Sequence, residues 1–295
     1  MIAALYRSPV LLLTFTAVMW SMNVIFGQWA VGEISPFAIV LLRWIFVSAM
    51  MWPLFGREVV AHWPALRPRI GFLALCAVTG FTGFNTLFYI ASSHTSGINI
   101  GILQGAMPMM VLLGVFVAYG DRVRPRQMIG VAITLVGVIL VAGGGDIDRL
   151  LGLSFNKGDL LMLAACAAYT FYAVALRNRP AVPGAALFTF FTVVSALCAL
   201  PLALWEAAQP GYAWPSLTGV ALALVVAVFP SCLAQLFFLR GVDLIGPGRA
   251  GVYINLVPIF AAILSILILG ERLALYHAVA LALVIGGIWM TQRAR

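Results

Sequence analysis

Residues 85–141 and 235–291 lie on one another at a constant offset of 150, without a gap. Phe88 meets Phe238, Gly101 meets Gly251, Pro108 meets Pro258, Gly120 meets Gly270 and Gly137 meets Gly287. Asp121 stands opposite Glu271, and Arg122 opposite Arg272. A chain that repeats itself in this way is built from two related units. The match is weaker over the first part of each half. The repeat runs through an apolar background, with 63% of residues hydrophobic and 9% charged, where a soluble domain carries about 25% charged residues. So few charges cannot cover a water-facing surface. The class is therefore integral membrane protein, and internal symmetry in that class goes with transport through a site between the halves.

A helix needs about 20 apolar residues to cross a bilayer. Ten runs qualify, roughly 9–30, 36–55, 70–91, 96–119, 127–143, 159–176, 183–205, 216–239, 247–269 and 273–292. The runs are continuous rather than alternating, which points to an all-α membrane protein and away from spanning strands. The first run is too long for a signal-peptide core and has no small-residue cleavage site, so it reads as a span. With the N-terminus in the cytoplasm, Arg7, Arg57, Arg67, Arg69, Arg122, Arg124, Arg126, Arg177, Arg179, Arg240, Arg249, Arg293 and Arg295 all face inward. Only Arg149, Lys157 and Arg272 face outward. The net charge of +8 is thus a topology signal and not a nucleic-acid signal.

Five spans per half is an odd number, so the second half enters the membrane upside down. The expected organisation is a first five-helix repeat over 1–143, a polar extracellular linker over 144–157 and a second repeat over 158–295. Together these make one membrane domain with both termini in the cytoplasm, in the inner membrane of the cell. Gly56–Arg69 reads as a cytoplasmic loop lying on the membrane through Trp63. Trp29, Trp205 and Trp214 read as anchors at the outer interface, and Trp52 and Trp289 at the inner one. Cys76, Cys166, Cys198 and Cys232 lie inside apolar runs and read as packing residues.

Leu269-Gly270-Glu271-Arg272-Leu273, its partner Gly120-Asp121-Arg122, the prolines Pro108 and Pro258, Trp20-Ser21 with Asn23, and Pro36 with Arg43 together resemble the EamA-type branch of the drug/metabolite transporter superfamily. The resemblance covers essentially the whole chain. Within that branch the aromatic-rich helices are most similar to YddG-type exporters of aromatic and other neutral amino acids. The resemblance implies a basket of ten helices around a central cavity, with helices 5 and 10 peripheral. The second half departs from the first at helix 7, where Thr192 stands near the place of Arg43.

Arg43 is the only charge well inside an apolar run. Burying it costs at least about 2.5 kcal/mol, so it must face a cavity or a partner. One reading is capture of a substrate carboxylate by its fork of donors; the other is snorkelling or capping of helix carbonyls. On helix 1, Thr16, Trp20, Asn23 and Gly27 share a face, as do Thr79, Thr82, Thr86 and Tyr89 on helix 3, Tyr169 and Tyr172 on helix 6, and Ser231, Gln235 and Phe238 on helix 8. Such stripes turn inward in a bilayer. They wall a shared aromatic and polar cavity, or they join helices by hydrogen bonds.

Gly97, Gly101 and Gly105 allow close helix approach, and Gly246, Ala250 and Gly251 answer on helix 9. Pro108 and Pro258 are expected to kink mid-helix and free carbonyls near Gln104 and Ile254. Asn99, Gln104, Tyr253 and Asn255 around these kinks are candidate substrate contacts. His94 and His277 read as interfacial. No Asp or Glu lies mid-helix, which points to facilitative or weakly proton-coupled transport. No nucleotide loop, nucleophile elbow or metal motif is found, so the expectation is not an enzyme, without cofactor, metal or nucleic-acid partner. The expected partners are a small-molecule substrate and membrane lipids, and the unit a monomer. Two readings remain: an alternating-access exporter of neutral, often aromatic, amino acids, or a carrier of another metabolite or lipophilic cation.

Overall fold

The computed structural model describes residues 7–146 and 155–292. Arg149, Arg293, Arg295 and the centre of the linker lie outside the described residues. The described chain is all helical: α1 Pro9–Ala30, α2 Pro36–Ala61, α3 Trp63–Ser92, α4 Gly97–Tyr119, α5 Pro125–Ala142, α6 Lys157–Asn178, α7 Gly184–Ala207, α8 Leu217–Ile245, α9 Gly251–Leu269 and α10 Leu275–Gln292. Among the described residues, the first nine are long and apolar enough to cross a membrane, while the apolar stretch of α10, Leu275–Thr291, is shorter.

Local chemistry sets the ends. Ser8, Ser35, Ser96, Asn156 and Ser216 each cap a helix start by accepting a backbone N–H through the side chain, which satisfies a donor that the first turn leaves free. Pro9 and Pro36 follow two of these caps, where a missing N–H costs nothing. Gly120 and Gly270 end α4 and α9 with the same φ of 68°, a left-handed conformation that favours glycine.

Segment 56–69 is not the expected loop. α2 runs on to Ala61 through Pro53, and short helical turns carry the chain into α3. Apolar residues Val59 and Leu66 are buried here, so this stretch packs as the end of the bundle.

The prolines also act differently from the mid-helix kink expected. α4 is two pieces, Gly97–Gln104 and Met107–Tyr119, and Pro108 sits in the first turn of the second. Gly251–Leu256 is a tight 3-10 turn, and Val257–Leu269 begins afresh with Pro258 in its first turn. Proline at a helix start leaves no extra carbonyl unpaired. The Ile254 carbonyl in fact accepts from the Val257 N–H.

α3 and α8 each contain a π-helical turn, Val78–Gly83 and Ala227–Leu233. Such a turn holds one more residue than an α-turn and is common where function needs a register change.

The packing has a regular plan. α2 lies on α7, α4 on α9 and α5 on α10; α1 lies on α8 and α9, while α6 lies on α3 and α4. Exchanging the first five helices with the last five leaves this plan unchanged. Lipid tails are as apolar as leucine, so close approach and hydrogen bonds hold such helices together. A Cβ on Gly101 would meet Ala261 Cβ at 2.6 Å, and one on Gly105 would meet Val284 Cγ1 at 2.6 Å. Gly251 has open space instead, so the close approach expected there does not occur. Segment 97–104 packs on 257–269, whereas 107–119 packs on α6 and 251–256 on α1. α4 and α9 therefore meet at one end of the bundle and part at the other.

Candidate functional site

Arg43 on α2 is 6% exposed. Its Nε donates to Ser231 Oγ at 2.9 Å, and its Nη1 donates to Asn23 Oδ1 at 3.3 Å, Tyr89 Oη at 3.2 Å and Asn85 Oδ1. Tyr89 Oη in turn donates to Asn23 Oδ1. The guanidinium carbon lies 5.0 Å from the centre of the Trp44 ring. All four partners are neutral, so the guanidinium neither snorkels nor caps carbonyls. Among the described residues no carboxylate balances this charge. A buried cation held only by neutral acceptors retains most of its cost of burial, and an anionic group arriving beside it gains in proportion.

The sequence reading places four members of this cluster: Arg43 by its buried charge, and Asn23, Tyr89 and Ser231 by the stripes. It misses Asn85, which lies one turn before Tyr89 on the same face of the regular helix Phe84–Ser92. The extra residue in Val78–Gly83 shifts the register, so that Thr82 turns to the Ser195 carbonyl while Asn85 and Tyr89 turn to Arg43. The α8 π turn holds Ser231, whose hydroxyl donates five residues back to the Val226 carbonyl. Gly80, Gly83 and Pro230 were the available signals of a local departure from α geometry.

Other predicted residues separate from this cluster. Thr82 Oγ1 donates to the Ser195 carbonyl at 3.1 Å and so joins α3 to α7. Trp20 and Phe238 pair at 5.3 Å between ring centres. Tyr169 and Tyr172 form an aromatic group with Phe81 and Phe84. Trp20, Gln104, Tyr169, Tyr172, Gln235, Phe238, Tyr253 and Asn255 are all partly exposed although they lie within long helices. Asn255 Oδ1 is buried without a hydrogen-bond partner. A cavity of about 390 Å³ lies elsewhere, reaching from Glu33, Glu206 and Trp214 down to Tyr89 and Ile39. Trp20, Tyr169 and Phe238 do not line it; Tyr89 separates it from Arg43.

At the same end of the bundle Asn99 is bound up in a different cluster. Asp159 is 1% exposed and His277 6%. Thr95 Oγ1 donates to Asp159 Oδ1 at 2.6 Å, and Asn99 Nδ2 donates to both Asp159 oxygens at 3.2 Å. His277 Nδ1 accepts from the Ala274 N–H at 3.0 Å, leaving Nε2 to donate to Asn99 Oδ1 at 3.1 Å. His277 is thus not interfacial. A carboxylate and an imidazole are buried together in the first turns of α6 and α10, while no described Asp or Glu lies mid-helix. Sequence position near a helix end concealed this, because neighbouring helices cover the end. Ser35 donates to Glu206 and Ser216 to Glu33, tying α2 to α7 and the start of α8 to the α1–α2 turn.

A polytopic all-α bundle with an uncompensated cation in its middle has the architecture of a membrane carrier. The chain belongs to the EamA-like transporter family, whose pattern matches twice, over residues 7–143 and 156–293. It is 29% identical over 277 residues to the uncharacterized transporter YetK of Bacillus subtilis (strain 168), covering 91% of this chain and 82% of that one. It is 23% identical over 206 residues to the aromatic amino acid exporter YddG of Ancylobacter novellus, covering 68% of this chain and 69% of that protein. A solved crystal structure superposes with a TM-score of 0.65 at 20% identity, over 97% of this chain and 98% of the other, a likeness of fold alone. The protein is a multi-pass membrane transporter of small metabolites.

Proposed function

We propose that the protein exports aromatic and other neutral amino acids across the inner membrane of the cell by alternating access between two inverted five-helix halves. The observation that carries this is Arg43, buried among neutral acceptors with no carboxylate partner among the described residues. A substrate carboxylate is the natural counter-charge. Trp20, Phe238, Tyr169 and Tyr172 offer ring faces for an aromatic side chain, and Gln104, Gln235, Tyr253 and Asn255 offer polar contacts. The arginine-rich end faces the cytoplasm under the positive-inside rule, so the end where α4 and α9 part opens inward. The packing plan that survives exchange of the halves supports the inverted repeat. The alternative of a lipophilic cation draws on Glu33 and Glu206 in the outer cavity, but those carboxylates already clasp Ser216 and Ser35.

The test is counterflow in proteoliposomes with a panel of amino acids, organic cations and anions. Phenylalanine and other neutral amino acids are expected to exchange. Exchange confined to cations would overturn the reading. Aromatic stacking adds about 0.5–1.5 kcal/mol beyond area burial, and truncating a ring also loses that burial. Trp20→Ala is therefore expected to slow phenylalanine exchange roughly tenfold, and alanine exchange less. Equal loss for both substrates would mark a packing role for Trp20.

A further inference from the structure

Glu271 bridges the two halves. Its Oε1 accepts the Gly97 N–H at 2.6 Å and its Oε2 accepts the Ile98 N–H at 2.9 Å. These are free donors of the first turn of α4, and Ser96 Oγ takes the next, from Asn99. A carboxylate at this position is held by both the orphan N–H groups and the helix dipole. Segment 97–104 lies against 257–269 at the same place, where a Cβ on Gly97 would meet Ser265 Oγ at 2.5 Å. The bond therefore fastens the end at which α4 and α9 meet.

The offset of 150 gives each of these groups a counterpart. Glu271 corresponds to Asp121, and Gly97 and Ile98 to Pro247 and Gly248. Gly120 and Gly270 share one φ, so both carboxylates leave their helices on the same backbone course. Yet Asp121 pairs with Arg177, Oδ2 to Nη1 at 2.8 Å, with both side chains about half exposed. Arg177 lies over the Tyr119 ring at 4.5 Å, and Tyr119 Oη donates to the Val174 carbonyl and accepts from Asn178 Nδ2. The far end of α4 is thus docked on α6.

We propose that Glu271 and Asp121 are alternating latches of the transport cycle, Glu271 holding one end shut as here, and Asp121 leaving Arg177 to cap the chain at Gly248 when the opposite end closes. Both are positioning residues, and the assignment rests on the alternating-access part of the proposed function. The two latches are unequal. Pro247 has no N–H, so Asp121 has one donor fewer than Glu271. The state closed at Glu271 is the favoured one.

The experiment uses the full chain in proteoliposomes, with Cys76, Cys166, Cys198 and Cys232 replaced by alanine and one reporter added. Ala262→Cys reports the closed end, where Ala262 is 3% exposed, and Val252→Cys the open end, where Val252 is 47% exposed. A hydrophilic maleimide is supplied on both sides of the membrane. Glu271→Gln keeps one acceptor and sets an NH2 against the other N–H. It is expected to raise the Ala262→Cys labelling rate about tenfold, the worth of one charge-assisted hydrogen bond, and to lower that of Val252→Cys. Adding Asp121→Asn is expected to move both rates back, because the exposed Arg177 pair contributes little while the alternative cap is lost. Unchanged rates in monodisperse Glu271→Gln protein, or both reporters rising together, would overturn the proposal. Wild-type counterflow separates the two ideas: reciprocal labelling without amino acid exchange leaves the latches standing and removes the substrate assignment.

Discussion

Arg43→Met is expected to abolish most of the proposed amino acid exchange while the protein still inserts and purifies as a single species. A hydrogen bond to a charged group contributes roughly 1.5–3 kcal/mol net, so losing the carboxylate's partner in the transport cycle slows exchange by about one to two orders of magnitude. Methionine fills similar space, and removing a buried charge relieves a burial cost that offsets the stranded acceptors Asn23, Asn85 and Ser231. Arg43→Lys recovers only part of the rate, because an ammonium on a flexible stem lacks the planar fork that reaches Ser231 on one side and Asn85 on the other. The measurement is initial counterflow rate against thermal midpoint for both variants. Full exchange by Arg43→Met would reduce Arg43 to a structural link between α2 and α8.

Gly287→Val is expected to have the largest effect on stability. A Cβ at Gly287 would lie 2.2 Å from Thr134 Oγ1 and 2.4 Å from the Gly130 carbonyl oxygen. The second of these is backbone and cannot rotate away, so α5 and α10 must separate. Overpacking of this kind costs about 3 kcal/mol. The expected result is a thermal midpoint lowered by several degrees, read by loss of the monodisperse peak after heating. Surviving protein should keep its substrate preference, since neither helix touches Arg43. A changed preference at unchanged stability would mean that the α5–α10 pair shapes the binding site.

The fold was legible because long apolar runs and paired glycines and prolines are visible without neighbours. Pro108 and Pro258 marked the right places in α4 and α9, though the helices restart there rather than bend. The site was legible only in part. Arg43 followed from charge burial, and Asn23, Tyr89 and Ser231 from regular helical stripes. Asn85 did not, because the stripe was counted through its neighbour Thr86, although Asn85 lies one turn before Tyr89 on the same face. The burial of Asp159 and His277 was hidden for another reason. Burial at a helix end depends on what other helices cover it, and here Asn99 and Thr95 lie 60 and 64 residues from Asp159 in sequence. Tertiary neighbours, unlike periodicity, leave no local trace.

The π turns in α3 and α8 have a historical consequence. Each holds one residue more than the α-helix around it needs, and both occur at the same place in the two copies of the family pattern. Two separate insertions at one matching turn would be a coincidence; a single insertion in an ancestral gene, copied when that gene doubled, needs none. The extra residue is therefore older than the duplication.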